Sequence, residues 1–214
     1  MENYKEYIAI ASREISHPEW AHTKQILEVN EIEQDTDGYK VYAIIEKDDL
    51  VYIYFNIKEE AYYLRIIIEK YTKRLRMPDI INASYCYLTA ISQNKTLSEL
   101  ASYTKFKYTY GYSKGDKIKN GRIANVSYIK FALLDKDCYF AEEAIELLLN
   151  KLSEDKDGIK KLVQNSDAII EVKNSQYVSA NAGFSLSSEI IKKLNDFGLG
   201  FDIDTYICGK PFIS

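Results

Sequence analysis

The sequence is poor in the side chains that most catalytic, metal-binding and membrane-spanning proteins rely on. Its 214 residues include two histidines, one tryptophan, two methionines, three prolines and three cysteines. His17 and His22 are five apart and stand near no cysteine, which argues against zinc ligation and against a Cys–His pair. No stretch approaches the roughly 18 apolar residues of a membrane span. The start, Met-Glu-Asn-Tyr-Lys-Glu, has neither the basic beginning nor the apolar run of a signal peptide. Cys86, Cys138 and Cys208 are widely spaced, form no Cys-x-x-Cys pair and have apolar neighbours, so they read as reduced, mostly buried thiols in a reducing compartment. Gly111, Gly115 and Gly121 make neither a dinucleotide fingerprint nor a P-loop, and there is no Gly-x-Ser-x-Gly elbow. The expectation is a cytoplasmic protein with no membrane contact and no cofactor.

What the chain has in quantity is tyrosine, 19 copies. Tyrosine favours strands and also serves at binding surfaces, where it gives large contact area with few rotatable bonds. Hydrophobic residues at 46% and charged residues at 28% are ordinary for a globular protein. The net charge of −4 argues against general nucleic-acid binding but leaves room for a local basic patch.

The alternation in Tyr4–Ile15 suggests a strand. Ser16-His-Pro-Glu19 reads as a capping box opening a short helix to about Glu28. Leu27–Asp35, Tyr39–Glu46, Val51–Ile57 and Ala61–Glu69 follow as strands of an antiparallel meander, with turns at Asp37-Gly38, Lys47–Leu50 and Lys58–Glu60. The basic run from Lys70 to Arg76 and then Pro78 break this pattern. They suggest a linker at about 70–82, ending a β-rich N-terminal module (1–82).

Residues 83–214 have a different rhythm. Strands are expected at Ser84–Ser92, Lys105–Tyr112, Val126–Leu134, Ala168–Tyr177 and Gly200–Cys208. Helices are expected after the capping box Thr96-Leu-Ser-Glu99, over Tyr139–Leu152, which Asp155–Gln164 continues or follows as a second helix after Ser153, and over Ser187–Phe197. The order βαββαβ followed by αβ predicts an α+β fold of ferredoxin-like type.

Several patterns in this part carry a resemblance. They are the strand Ala83–Thr89, the Ser113-Lys-Gly-Asp116 turn, the helix core Ala141–Leu149 with Lys160–Val163, and Gly183–Leu194 followed by Leu199–Tyr206. The most specific is the closing Leu-Ser-Ser-Glu-Ile-Ile helix joined to the Asp-Ile-Asp-Thr-Tyr strand. On these residues, about 84–210 resembles the bacterial family called domain of unknown function 4279. The resemblance implies a fold and no residue roles. Where that family tends to place a tryptophan after the turn, this chain has Tyr128-Ile-Lys-Phe131.

Three groups of residues carry candidate chemistry. The comb Glu31, Glu33, Asp35 and Asp37 lines one face of an extended segment, and it reads as a charged strand edge or as a docking surface for a basic protein. Lys105, Lys107, Lys114, Lys117, Lys119 and Arg122 face a single Asp116 and alternate with Phe106, Tyr108, Tyr110 and Tyr112. Those aromatics read first as core; the basic residues also suit a nucleic-acid or ligand patch. Asp202 and Asp204 share one side of the last strand, where paired carboxylates can hold a metal. Three functions follow. The first is a non-catalytic protein-binding module, such as an immunity protein that neutralises a basic bacterial toxin. The others are an RNA-binding domain using 105–122 and a metal-dependent enzyme using Asp202 and Asp204.

Overall fold

The computed structural model describes residues 4–119, 121–134, 140–180 and 183–212. The fold is α+β, divided into two compact units: one runs to Ala83 and adds segments within 175–182 and 206–214, and the other holds 84–174 and 183–205.

In the first unit, Tyr4–Ile15 is not a strand but the helix α1 (Lys5–Ser16). Ile8 and Ile10 suit either period, but Tyr7, Ala11 and Ile15 recur at i, i+4 and i+8, and that stripe is buried. The Ser16–Glu19 capping box does not form either. Ser16 Oγ donates to the Ser12 carbonyl, and the buried Glu14 carboxylate takes the N–H groups of Glu19 and Trp20 instead, each at 3.1 Å. Helix α2 (Ala21–Val29) therefore starts later than the box implies, with Trp20 as its 39% exposed N-cap. Leu27 belongs to this helix, so strand pairing before Asp37 shrinks to a bridge of Ile32 with Ile57 and to β1 (Gln34–Asp35) against β2 (Gly38–Tyr39).

The expected meander is present as β3 (Val41–Lys47), β4 (Leu50–Asn56) and β5 (Tyr62–Glu69), paired antiparallel in sequence order. Val51, Ile53 and Phe55 sit opposite Ile68, Ile66 and Leu64, and this apolar face packs with Tyr7, Ala11, Ile15 and Ile26. The other face is aromatic and ionic: Tyr42 stacks on Tyr63, and Arg65 lies over Tyr52 while pairing bidentately with Asp79. Residues 70–76 fold back on β5 rather than running as an open linker, with Arg76 N donating to Ile67 O at 2.7 Å. The strand β6 (Asp79–Ser92) begins directly after Pro78.

In the second unit the strands after β6 are β7 (Tyr110–Tyr112), β8 (Ser127–Phe131), β9 (Asp167–Tyr177) and β10 (Gly200–Cys208). Their order across the sheet is β10-β9-β6-β8-β7. The helices are α3 (Leu97–Ser102), with the expected Thr96/Glu99 capping box, α4 (Ala141–Leu152), α5 (Lys156–Asn165) and α6 (Ser188–Phe197). Gly198 ends α6 in the left-handed conformation, φ 72°, that lets its N–H close the last turn. One core joins these helices to the sheet: Leu88, Ala90, Ile129, Phe131, Ile170 and Val172 meet Leu148, Leu152, Leu162, Ile190 and Leu194. Cys86 is buried beside them, whereas Cys208 is half-buried; neither is in a disulfide, and Cys138 lies outside the described residues.

Leu148 is fully buried at the centre of this core. Leu148→Ala should destabilise the chain by about 2–5 kcal/mol, as cavity-forming substitutions do. Chemical denaturation followed by circular dichroism measures the loss.

Candidate functional site

The polar residues of the second unit's strands gather on the sheet face turned away from the helices. Alternation sorts them. Since Leu88, Ile129, Phe131, Ile170 and Val172 point at the helices, Tyr87, Thr89, Tyr128, Lys130, Glu171 and Lys173 point the other way. Phe201 and Ile203 pack against the same core, which puts Asp202 and Asp204 on the opposite side.

At one end of this face three tyrosines pack together. Tyr112 stacks on Tyr128 with centroids 5.5 Å apart, and Tyr110 touches both at 6.0 and 6.1 Å. This corrects the expectation that Tyr108, Tyr110 and Tyr112 fill the core. Only Phe106 packs there; Tyr108 and Tyr110 are exposed, at 45% and 42%. The reason is Gly111. It takes the helix-facing position of β7, where Leu97 Cδ1 and the Tyr128 carbonyl already fill the space a Cβ would need. Its tyrosine neighbours are thereby directed outward. The strand is also shorter than expected, because the Asp155 carboxylate accepts from Thr104 Oγ1 and Lys105 N, each at 2.7 Å, and holds that segment out of the ladder.

Beside the tyrosines lies a buried polar cluster. Thr89 Oγ1 donates to Glu171 at 2.7 Å, and the Glu171 charge also acts on Tyr87. Burial raises the Tyr87 pKa, and Glu171 adds to the effect. Tyr128 is pushed up to about 12, by burial first and by Glu171 second. The Lys130 ammonium sits 3.5 Å from the Tyr87 ring centroid and that of Lys173 sits 6.0 Å from it. Burial, then the charge of Lys173, lowers the Lys130 pKa, while Glu171 acts in the opposite direction.

The basic residues expected to form a patch divide. Lys105 is tied down, its ammonium donating to the Glu154 carbonyl at 2.7 Å, and Lys107 is exposed. Lys114, Lys117, Lys119 and Arg122 belong to the hairpin joining β7 to β8, held by bonds such as Gly115 N to Ala124 O and Ile118 N to Arg122 O. That hairpin runs on directly from Tyr112 and Tyr128, which face each other in register.

The acidic comb lies in the first unit and is partly neutralised. Glu31 pairs with Lys58 at 3.0 Å; Glu33 pairs with Lys40 at 2.8 Å and also accepts from Asn56. Those bonds hold the Glu33 carboxyl below its usual range. Asp35 accepts from Asp37 N, so Asp37 sits in the turn and off the extended face. Asp202 and Asp204 are exposed, and among the described residues no three His, Cys, Asp or Glu side chains are grouped to hold a metal. A pocket of about 290 Å³ in the first unit is lined by Asp49, Leu50, Glu69, Tyr71, Thr72 and Arg76, but Glu69 already bonds Arg76 and Thr72.

Sequence reasoning missed Tyr87, Lys130, Glu171 and Lys173. Their signal is a polar parity inside strands whose other parity is apolar, as in Tyr128-Ile-Lys-Phe131 and Ile170-Glu-Val-Lys173.

The model of the family described as Domain of unknown function (DUF4279) matches residues 82–208, well over half of the chain, and the chain belongs to that family. No curated protein and no solved structure matches it.

Asp155 also N-caps α5 through Gly158 N. Burial alone would raise its pKa, but the bonds from Lys105, Thr104 and Gly158 outweigh burial and lower it. A carboxyl depressed on folding stabilises above its unfolded pKa, and that contribution fades as pH falls through the folded value. Asp155→Ala should therefore cost about 1 kcal/mol near neutral pH, and the gap to the parent chain should narrow in acid. Urea denaturation across a pH series checks both.

Proposed function

We propose that the chain is a non-catalytic protein-binding module, and that the face turned away from the helices in its second unit is the recognition surface. The observation that carries this reading is the cluster of Tyr110, Tyr112 and Tyr128 beside Lys130 and Lys173. Packed tyrosines present rigid area with outward hydroxyls, which is the composition that protein interfaces favour. Strand order β9-β6-β8-β7 with β10 outside supports treating the unit as ferredoxin-like, a split βαβ with one added strand. Cys86 and Cys208 outside any disulfide support a reducing, cytoplasmic setting.

The more specific role, neutralising a basic bacterial toxin, is supported by the acidic comb. With Glu31 and Glu33 engaged by lysines, the steering charge falls mainly to Asp35 and Asp37. RNA binding is a second reading, favoured by the basic hairpin that continues from the tyrosine cluster.

Copurification with the tagged chain tests the reading. A protein partner should be retained by the parent chain and lost, by tenfold or more, with Tyr110→Ser/Tyr128→Ser. Equal retention would remove this face from the interface, and recovery of RNA in a strongly salt-dependent manner would favour the second reading. Replacing Glu31, Glu33, Asp35 and Asp37 by Gln or Asn should slow association and flatten its salt dependence. Folding stability should change by about 1 kcal/mol or less. Stopped-flow kinetics with the copurified partner reads the first effect and denaturation the second.

A further inference from the structure

We propose that Lys130 and Lys173 form a receiving site for a carboxylate of the partner protein, an inference that rests on the protein-binding reading. The two lysines stand on β8 and β9, the strands on either side of β6, and both ammonium groups approach the ring of Tyr87 between them. They lie roughly 10 Å apart or less, about two strand spacings.

The carboxylate whose charge reaches Lys130 is already engaged. Glu171 accepts from Thr89 Oγ1 at 2.7 Å, and among the described residues neither lysine makes an ion pair. The result is a half-buried cation and a like-charged neighbour over one aromatic ring. Bringing a carboxylate between them offsets their repulsion and forms charge-assisted hydrogen bonds in partly desolvated surroundings, where such bonds are strongest.

Two observations favour a carboxylate over a polyphosphate. Asp202, Asp204 and Glu171 share the face, and their charges repel a chain of phosphates more than a single carboxylate. Tyr112 and Tyr128 also stack on each other with their planes 20° apart, so the faces they turn together are closed to an inserted base. Edges and hydroxyls are left for a polypeptide.

Fluorescence anisotropy with the full chain tests the site, using a labelled hexapeptide that carries a single glutamate and a labelled oligouridylate of equal length. The parent chain should bind the peptide saturably. Lys130→Gln/Lys173→Gln should bind it at least tenfold more weakly, and Lys130→Arg/Lys173→Arg should restore it. An unchanged melting temperature in both variants would show that the fold is intact. Undiminished binding by the Gln variant, or no saturable binding by the parent, overturns the site. Tighter, lysine-dependent binding of the oligouridylate overturns the carboxylate assignment. If the Gln variant keeps a copurified partner that Tyr110→Ser/Tyr128→Ser loses, the lysine site falls and the protein-binding reading stands. If the tagged chain retains no protein but the peptide binds through the lysines, the reading falls and the site stands.

Discussion

An extended strand gives alternate side chains to opposite faces, and in the second unit this places every residue of the proposed surface. Burying one leucine- or isoleucine-sized side chain is worth about 1.5–3 kcal/mol, and β6, β8 and β9 each set more than one apolar side chain against the helices. A slip of one residue would expose that set. It would also drive Lys130, Glu171 and Lys173 into the core, where unpaired charge is far more expensive. The core therefore fixes the orientation of the surface without touching it.

Within that frame the surface divides into a satisfied part and an unsatisfied part. The Glu171–Thr89 bond, beside the buried Tyr87 ring, anchors the middle of the sheet face. The tyrosines are ordered by one another and by Gly111 behind them, so a partner would meet side chains whose rotamer freedom is already largely spent. Among the described residues Lys130 and Lys173 make no ion pair, and over one aromatic ring they make the point of interest.

Much of the secondary structure could be read from local pattern, because the meander β3–β5, the helices α4 and α6 and the Thr96/Glu99 box each depend on neighbours in sequence. Local pattern does not suffice where distant residues decide. Lys5–Ser16 carries apolar residues that fit both periods, and burial against β4 and β5 selects the helix. Ser16 looked like a cap only until Glu14, itself buried, supplied the acceptor. Residues 105–108 have strand-like alternation but stand out of the ladder, where Asp155, some fifty residues away, holds Lys105. The candidate residues behaved likewise. The basic cluster and the acidic comb were visible as composition, whereas Lys40 and Lys58 beside the comb, and the lysines around Tyr87, depend on strand order.

The single tryptophan has a practical consequence for spectroscopy. Trp20 lies at the start of α2 in the first unit, and the second unit contains tyrosine but no tryptophan. Red-edge excitation of indole therefore reports on the first unit alone, while near-ultraviolet dichroism is dominated by tyrosines from both. The native chain thus carries its own pair of optical probes, able to separate the melting of one unit from that of the whole without any label.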